Sequence, residues 1–293
     1  LPIPAEYFAQ SIRESGIGVE SNLKGFEIGL AYMKGELKIA PAVPEKKIRP
    51  AKPSADSLIA DVASIYPGES QAIVTEGVKR LVDYQNPAYA KLYLDRLAGI
   101  LAIDRERGGE RNNWTLTVEA GRYLALMMSY EDIVRVADLK SRRSRMDRVR
   151  TEVMAKANEP VYVTEFRKPG FDEFTSVMPP WLGRPVMNWA NGNEWAKNYN
   201  FAMRVRSHTI FGFLRMWLLS KLRFYRPSTY RYSQEQTAIE GWLEVVIEAA
   251  SRHYQLAVEI AELANLRKGY SDTHKRGLAN FGRVMDEIAI PCS

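Results

Sequence analysis

The chain has 293 residues, 46% of them hydrophobic and 26% charged, with a net charge of +6. That is enough apolar material for one large domain or two ordinary ones, which excludes disorder as a default, and the modest positive charge favours an anionic partner without reaching a histone-like excess. A single cysteine, Cys292, excludes an internal disulfide framework and any four-thiolate metal or iron–sulfur site built by this chain alone, and it fits a reducing cytoplasm.

In chain order, residues 2–35 predict two short helices, PAEYFAQSIRESG and VESNLKGFEIGLAYMKG, with Gly16 at a left-handed stop and Gly35 closing the second. They are too few to fold alone. Residues 36–53, ELKIAPAVPEKKIRPAKP, hold four prolines and five cations with little apolar periodicity and predict an extended linker. Ser54 or Asp56 then caps a helix through Ile65, Pro67-Gly68 breaks it, and a further helix runs to Gln85. Asn86-Pro87 is an N-cap with proline at the first helical position, and GGERNN ends the helix it opens.

Two or three long helices are expected between Trp114 and Ala157. VYVTEF (161–166) and FAMRVRSH (201–208) are the two strand candidates and are able to pair. Helices return at Thr209–Phe224, at Ser233–Arg267 with a capping box of Ser233 and Gln236, and from Asp272 to Ile288. With no internal repeat, the expected fold is mainly α, a multi-helix domain with a small two-stranded β element. The longest apolar stretches, such as Ile210–Leu222, are interrupted by Arg215 and Lys221 and fall short of the ~20 residues of a membrane span. The chain starts at Leu1 without a leader pattern and reads as part of a longer polypeptide.

Little in the sequence resembles a reaction centre. KGYSDTHKRG (268–277) combines a histidine, a carboxylate, two aliphatic hydroxyls and three cations, but Gly269 and Ser271 or Asp272 suit a capped turn between helices; the functional alternative is an anion held by His274 and free helix amides. His208, His253 and His274 fall in three segments without metal-ligand spacing. No nucleophile elbow and no glycine-rich phosphate loop occurs, so no catalytic residue is assigned.

The compositional oddity is Trp195–Gln234, which has no acidic residue and carries Lys197, Arg204, Arg206, Arg215, Lys221, Arg223, Arg226 and Arg231 among interleaved aromatics. Three readings stand: a basic docking face for an acidic protein or anionic cofactor, plain solvated charge, or a surface that stacks nucleic-acid bases. Phe213, Trp217 and Phe224, with Leu214, Leu218 and Leu222, fall on broad helix faces and are expected in the core. Arg142, Arg143, Arg145, Arg148 and Arg150 are expected to form an exposed helix face.

RLVDYQNPAYAKLYLDRL (80–97) and EAGRYLALMMSYEDIVRVADLKSRRSRMDRVR (119–150) resemble the C-terminal helical region of the β subunit of indolepyruvate ferredoxin oxidoreductases. VYVTEFRKPGFDEF, MPPWLGRP, HTIFGFLRMWLL, RYSQEQTAIEGWL and KGYSDTHKRGLANF continue the resemblance in order, over residues 70–285 or so. IRESGIGVESNLKGFEIG is similar to the closing helices of the γ-type domain of 2-oxoacid:ferredoxin oxidoreductases.

The resemblance implies three parts: residues 1–35 as terminal helices of a truncated γ-type domain, the linker 36–53, and a helical C-terminal domain 54–293. It implies a cytoplasmic enzyme that oxidatively decarboxylates aryl 2-oxoacids to aryl-acetyl-CoA with ferredoxin as acceptor. Thiamine diphosphate, a divalent metal and iron–sulfur clusters would be held largely by a partner α subunit, with CoA as co-substrate. This chain lacks a Gly-Asp-Gly thiamine motif, a cysteine run and a Gly-rich loop, so no catalytic residue carries over, no cofactor is expected in it, and the fragment alone is expected to be inactive, serving assembly or substrate enclosure. Ferredoxin would be met indirectly, and no membrane is expected. Candidate anion or partner contacts are Arg204, Arg206, His208 and His274; the alternative function is a basic helical module that binds RNA or another polyanion.

Overall fold

The structure is a computed structural model. It describes residues 4–16, 18–36, 53–156, 158–167, 169–199, 201–267 and 272–292, without the side chains of Arg167, Asp172, Lys197, Asn198 and residues 272–275. The chain divides into two units, 1–51 and 52–293. In the first, α1 (Ala5–Glu14) and α2 (Val19–Met33) form a helical pair. Gly16 and Gly18, at φ +66° and +56°, make the turn between them. The rings of Phe8 and Phe26 meet at 6.0 Å, and neither helix buries a residue. The expected linker lies mostly outside the described residues.

The second unit is mainly α with one small sheet. Its core is built by α3 (Ala55–Ile65), α4 (Gly68–Tyr84), α5 (Pro87–Glu106) and α6 (Thr115–Met128), closed by α13 (Tyr230–Arg252) and α14 (Tyr254–Leu263). Val74, Val78 and Leu81 recur at helical spacing on α4, as Leu97 and Ile100 do on α5, and all are fully buried. Tyr93 threads between α4 and α6: a Cβ on Gly77 would stand 2.6 Å from its Oη, and that hydroxyl donates to the Gly121 carbonyl at 3.1 Å. Only glycine admits so close an approach.

The capping chemistry follows the sequence in most places. Ser54 caps α3, and Asn86 caps α5 with Pro87 at its first position. Two expectations fail. Helix α13 starts at Tyr230, because the Thr229 hydroxyl, rather than Ser233, accepts the first free amide, that of Tyr232 at 3.3 Å. The expected helix through Arg267 is interrupted at His253, whose extended backbone and Nδ1, accepting the Leu256 N–H at 3.3 Å, start α14. Between Trp114 and Ala157 stand α6, α7 (Ile133–Ser141) and α8 (Arg143–Glu152). The last helix, α15 (Asp272–Val284), gives way to a π turn at Met285–Ala289 before α16 (Ile290–Cys292).

The two strand candidates pair as expected. Strands β1 (Thr164–Arg167) and β2 (Met203–Arg206) run antiparallel with Phe166 opposite Arg204 and Thr164 opposite Arg206. Between them lie three helices the sequence pattern does not announce: α9 (Phe171–Ser176), α10 (Pro180–Gly192) and α11 (Glu194–Asn198). Phe171, Trp195 and Tyr199 hold this insertion together, with Trp195 and Tyr199 at 4.9 Å and Phe171 and Tyr199 at 6.0 Å.

After β2 comes α12 (Ile210–Lys221), followed by a 3₁₀ helix, Leu222–Ser228, that carries the most consequential ion pair in the fold. Arg226 is 2% exposed, and its Nε and Nη2 donate to the two oxygens of Asp132 at 2.5 and 3.1 Å. Its Nη1 donates to the Tyr84 carbonyl at 3.0 Å and to Gln85 Oε1 at 2.6 Å, while the guanidinium lies 4.0 Å from the Tyr84 ring centre. Asp132 also caps α7 through the Arg135 N–H at 2.6 Å. Burying two charges is costly unless every donor finds an acceptor, and the bidentate geometry here meets that condition. Arg226→Ala is expected to lower the unfolding free energy by about 3–5 kcal/mol, read from the urea midpoint; a loss below about 1 kcal/mol would mean the pair behaves like an exposed one.

Candidate functional site

The two-stranded sheet is tied to α7 and α8. Glu165 on β1 is buried and accepts from Arg145 of α8 at 2.5 Å and from Lys140 of α7. Burial alone pushes its carboxyl upward, but the hydrogen bonds and charges of Lys140 and Arg145 outweigh that and hold it below the usual glutamate range. A second network joins α4 to α7 and its end: Arg135 and Arg142 both bridge Asp83 and Asp138, at 2.9 Å to Asp83 in each case. Of the arginines expected on an exposed face, Arg142 and Arg145 are therefore structural ties, whereas Arg143 and Arg148 are exposed.

Past β2, the chain is fixed by local bonds. Ser207 N–H donates to the Val163 carbonyl at 3.1 Å, the Val163 N–H lies 3.1 Å from His208 Nδ1, and the His208 ring stands edge-on to Tyr162 at 5.0 Å. Thr209 Oγ1 donates to the Arg206 carbonyl at 2.8 Å and accepts the Gly212 N–H at 3.1 Å, capping α12. A Cβ on Gly212 would fall 1.9 Å from the Arg206 carbonyl oxygen, so only glycine lets α12 start against the strand end.

Helix α12 packs on α7, and here one expectation is reversed. The buried row is Gly212, Met216 and Ser220, spaced by four residues. Phe213, Leu214, Trp217, Leu218, Leu222 and Phe224, expected in the core, are all exposed, Leu218 at 53% and Phe224 at 75%. Ile210 and Phe211 join them at 83% and 77%. The reason is steric: α12 lies close along α7, so a narrow row of small residues and one methionine faces it and the bulky ones turn outward. The row Gly-x-x-x-Met-x-x-x-Ser was the available signal.

Arg204 and Arg206 share the outer face of the two-stranded sheet, both exposed, with Arg204 over the Phe166 ring at 5.3 Å. His208 is half-buried, its Nδ1 engaged by the Val163 backbone. His274 lies in the first turn of α15, and its side chain falls outside the described residues, as do Lys268–Ser271. Arg226, counted at first among the basic face, is the buried tie described above. Arg215, Lys221 and Arg223 are exposed, Lys221 over the Trp217 ring at 5.0 Å.

Two clefts open in the second unit, the first of them beside α12. One, about 410 Å³, is lined by Lys140, Met146, Ser207, His208, Thr209, Ile210, Phe213 and Leu214. The other, about 340 Å³, contains Arg231 and Arg267, both turned onto the buried carboxylate of Glu235, at 3.4 and 2.6 Å. Among the described residues no group of three histidine, cysteine, aspartate or glutamate side chains converges as a metal site, and no helix is long and apolar enough to cross a membrane.

A model for a family of unknown function, DUF6537, matches residues 70–287. The chain belongs to that family. No curated protein and no solved structure matches it. The DUF6537 match spans α4 to the π turn, and therefore takes in the two-stranded sheet, α12 and both clefts.

The tie at Glu165 has a pH signature. Because its folded-state acid is held below the unfolded value of about 4.3, the stabilisation is complete above that value and is lost as pH falls through the lower folded one. Glu165→Gln is expected to flatten the acid limb of the stability curve below about pH 4.5 as well as lower stability at neutral pH; an acid limb identical to that of the parent would contradict the tie.

Proposed function

We propose that this chain is an accessory docking domain of a multisubunit oxidoreductase of the indolepyruvate type, supporting assembly rather than carrying the reacting groups. The observation that carries the docking part is the outer face of α12: a helix fixed at both ends that holds a row of bulky apolar side chains in water. Fully withdrawing an exposed side chain of this size from water gains about 1.5–3 kcal/mol, and a half-covered one such as Phe213 about half of that, whereas an exposed ion pair contributes about 0–1 kcal/mol. The apolar row therefore supplies affinity, and the surrounding cations steer and orient.

The oxidoreductase part rests on the ordered sequence resemblance over residues 70–285, nearly the same span as the DUF6537 match. On this reading the partner is the α subunit with its thiamine diphosphate, metal and clusters, the setting is the cytoplasm, and CoA and ferredoxin are met by the assembly as a whole. Arg204, Arg206 and His208 stand at the edge of the docking face. The competing reading, a module for RNA or another polyanion, draws on the same cations, but it gives no role to Ile210, Leu214, Leu218 and Leu222, which offer no flat ring for a base.

The double variant Phe211→Asp with Leu218→Asp tests docking. Both positions are exposed, so the unfolding free energy is expected to stay within about 0.5 kcal/mol of the parent, while the assembly isolated from the native cells loses this chain on native mass spectrometry. Intact assembly with the double variant would remove α12 as the docking face. Loss of co-purifying nucleic acid instead of a protein subunit would favour the polyanion reading.

A further inference from the structure

The larger cleft opens beside the apolar row of α12. Ile210, Phe213 and Leu214 belong both to the cleft wall and to the exposed row, so the two form one continuous surface. The polar residues of the cleft are already engaged: Ser207 and His208 bond to Val163, Thr209 to Arg206 and Gly212, and Lys140 to Glu165. A volume of about 410 Å³ leaves room for an aromatic side chain, with apolar walls to receive it and little free polarity to demand a charge.

The charges lie outside the cleft. Arg206, Arg215 and Arg223 are exposed and have no carboxylate partner among the described residues. The sequence from Trp195 to Gln234 contains no acid at all. We propose that this cleft is an anchor pocket that takes one bulky apolar side chain from a partner polypeptide whose neighbouring positions carry carboxylates.

This rests on the docking reading and narrows it. A second copy of the chain is a poor occupant, since it would bring the same unpaired cations face to face. An acidic segment with one aromatic or large aliphatic anchor matches the apolar cleft and the cationic surroundings together, the arrangement in which a buried anchor dominates binding and peripheral charges set orientation.

The test places a photo-crosslinking amino acid at Phe213, within the cleft, at Leu218, on the open face, and at Lys79, on α4, as a control. Each is installed in the full-length protein in its native cells, and the captured peptides are sequenced. The expected result is that Phe213 and Leu218 capture the same polypeptide and Lys79 does not, with the Phe213 adduct on a segment that joins a large apolar residue to aspartates or glutamates. Charge reversal of Arg206, Arg215 and Arg223 to glutamate should cut the Phe213 adduct about tenfold or more while the thermal midpoint stays unchanged. A Phe213 adduct on a neutral or basic segment, a second copy, lipid or nucleic acid overturns the anchor pocket. If Leu218 still captures a protein subunit in that case, docking by α12 survives; if neither position gives an adduct above the Lys79 control, both readings fall.

Discussion

The buried pair of Arg226 and Asp132 holds together parts of the fold that are far apart in the chain. Asp132 fixes the start of α7, the guanidinium closes on the Tyr84 carbonyl at the end of α4 and on Gln85, and the Arg226 carbonyl accepts the Thr229 N–H and hydroxyl at the start of α13. Three helix ends thus meet around one residue. Such a pair is costly when either member is lost and adds little when compared with a well-packed apolar substitute, so its role is to specify where the segment after α12 sits.

That placement explains how a helix with so much exposed apolar surface stays in position. At its start, α12 is held by the Thr209 cap and the close approach at Gly212; beyond its end, the 3₁₀ turn is held by Arg226. Between these fixed points Gly212, Met216 and Ser220 are the buried residues, with Leu219 half-buried beside them. The helix contributes little large apolar volume to the core, and its larger side chains form a preorganised surface, which reduces the ordering cost a partner would meet on binding.

Much of the architecture was legible in the sequence because the signals were local. Ser54, Asn86-Pro87 and Gly16 acted where capping and turn chemistry place them, and the end of the run VYVTEF, Thr164 to Phe166, paired with Arg204–Arg206. The failures came where tertiary contacts decide. The choice of Thr229 over Ser233 depends on the bond of Thr229 to Arg226, and the outward turn of Phe213, Trp217 and Phe224 depends on how closely α12 meets its neighbours. Hydrophobicity shows that a helix has apolar faces, but not which of them a partner covers. Similarly, Arg226 among seven other cations looked like surface charge, because its acid lies 94 residues away.

If α12 docks as proposed, its outer face is covered in the working protein. Hydroxyl-radical footprinting of the isolated chain and of the assembly purified from its native cells reads that face directly, since Phe211, Phe213, Trp217 and Phe224 are reactive only where solvent reaches them. These four rings are expected to be labelled in the isolated chain and protected together in the assembly, while exposed Trp181 on α10 serves as the reference for protection elsewhere. Equal labelling of the four rings in both samples would contradict docking by α12.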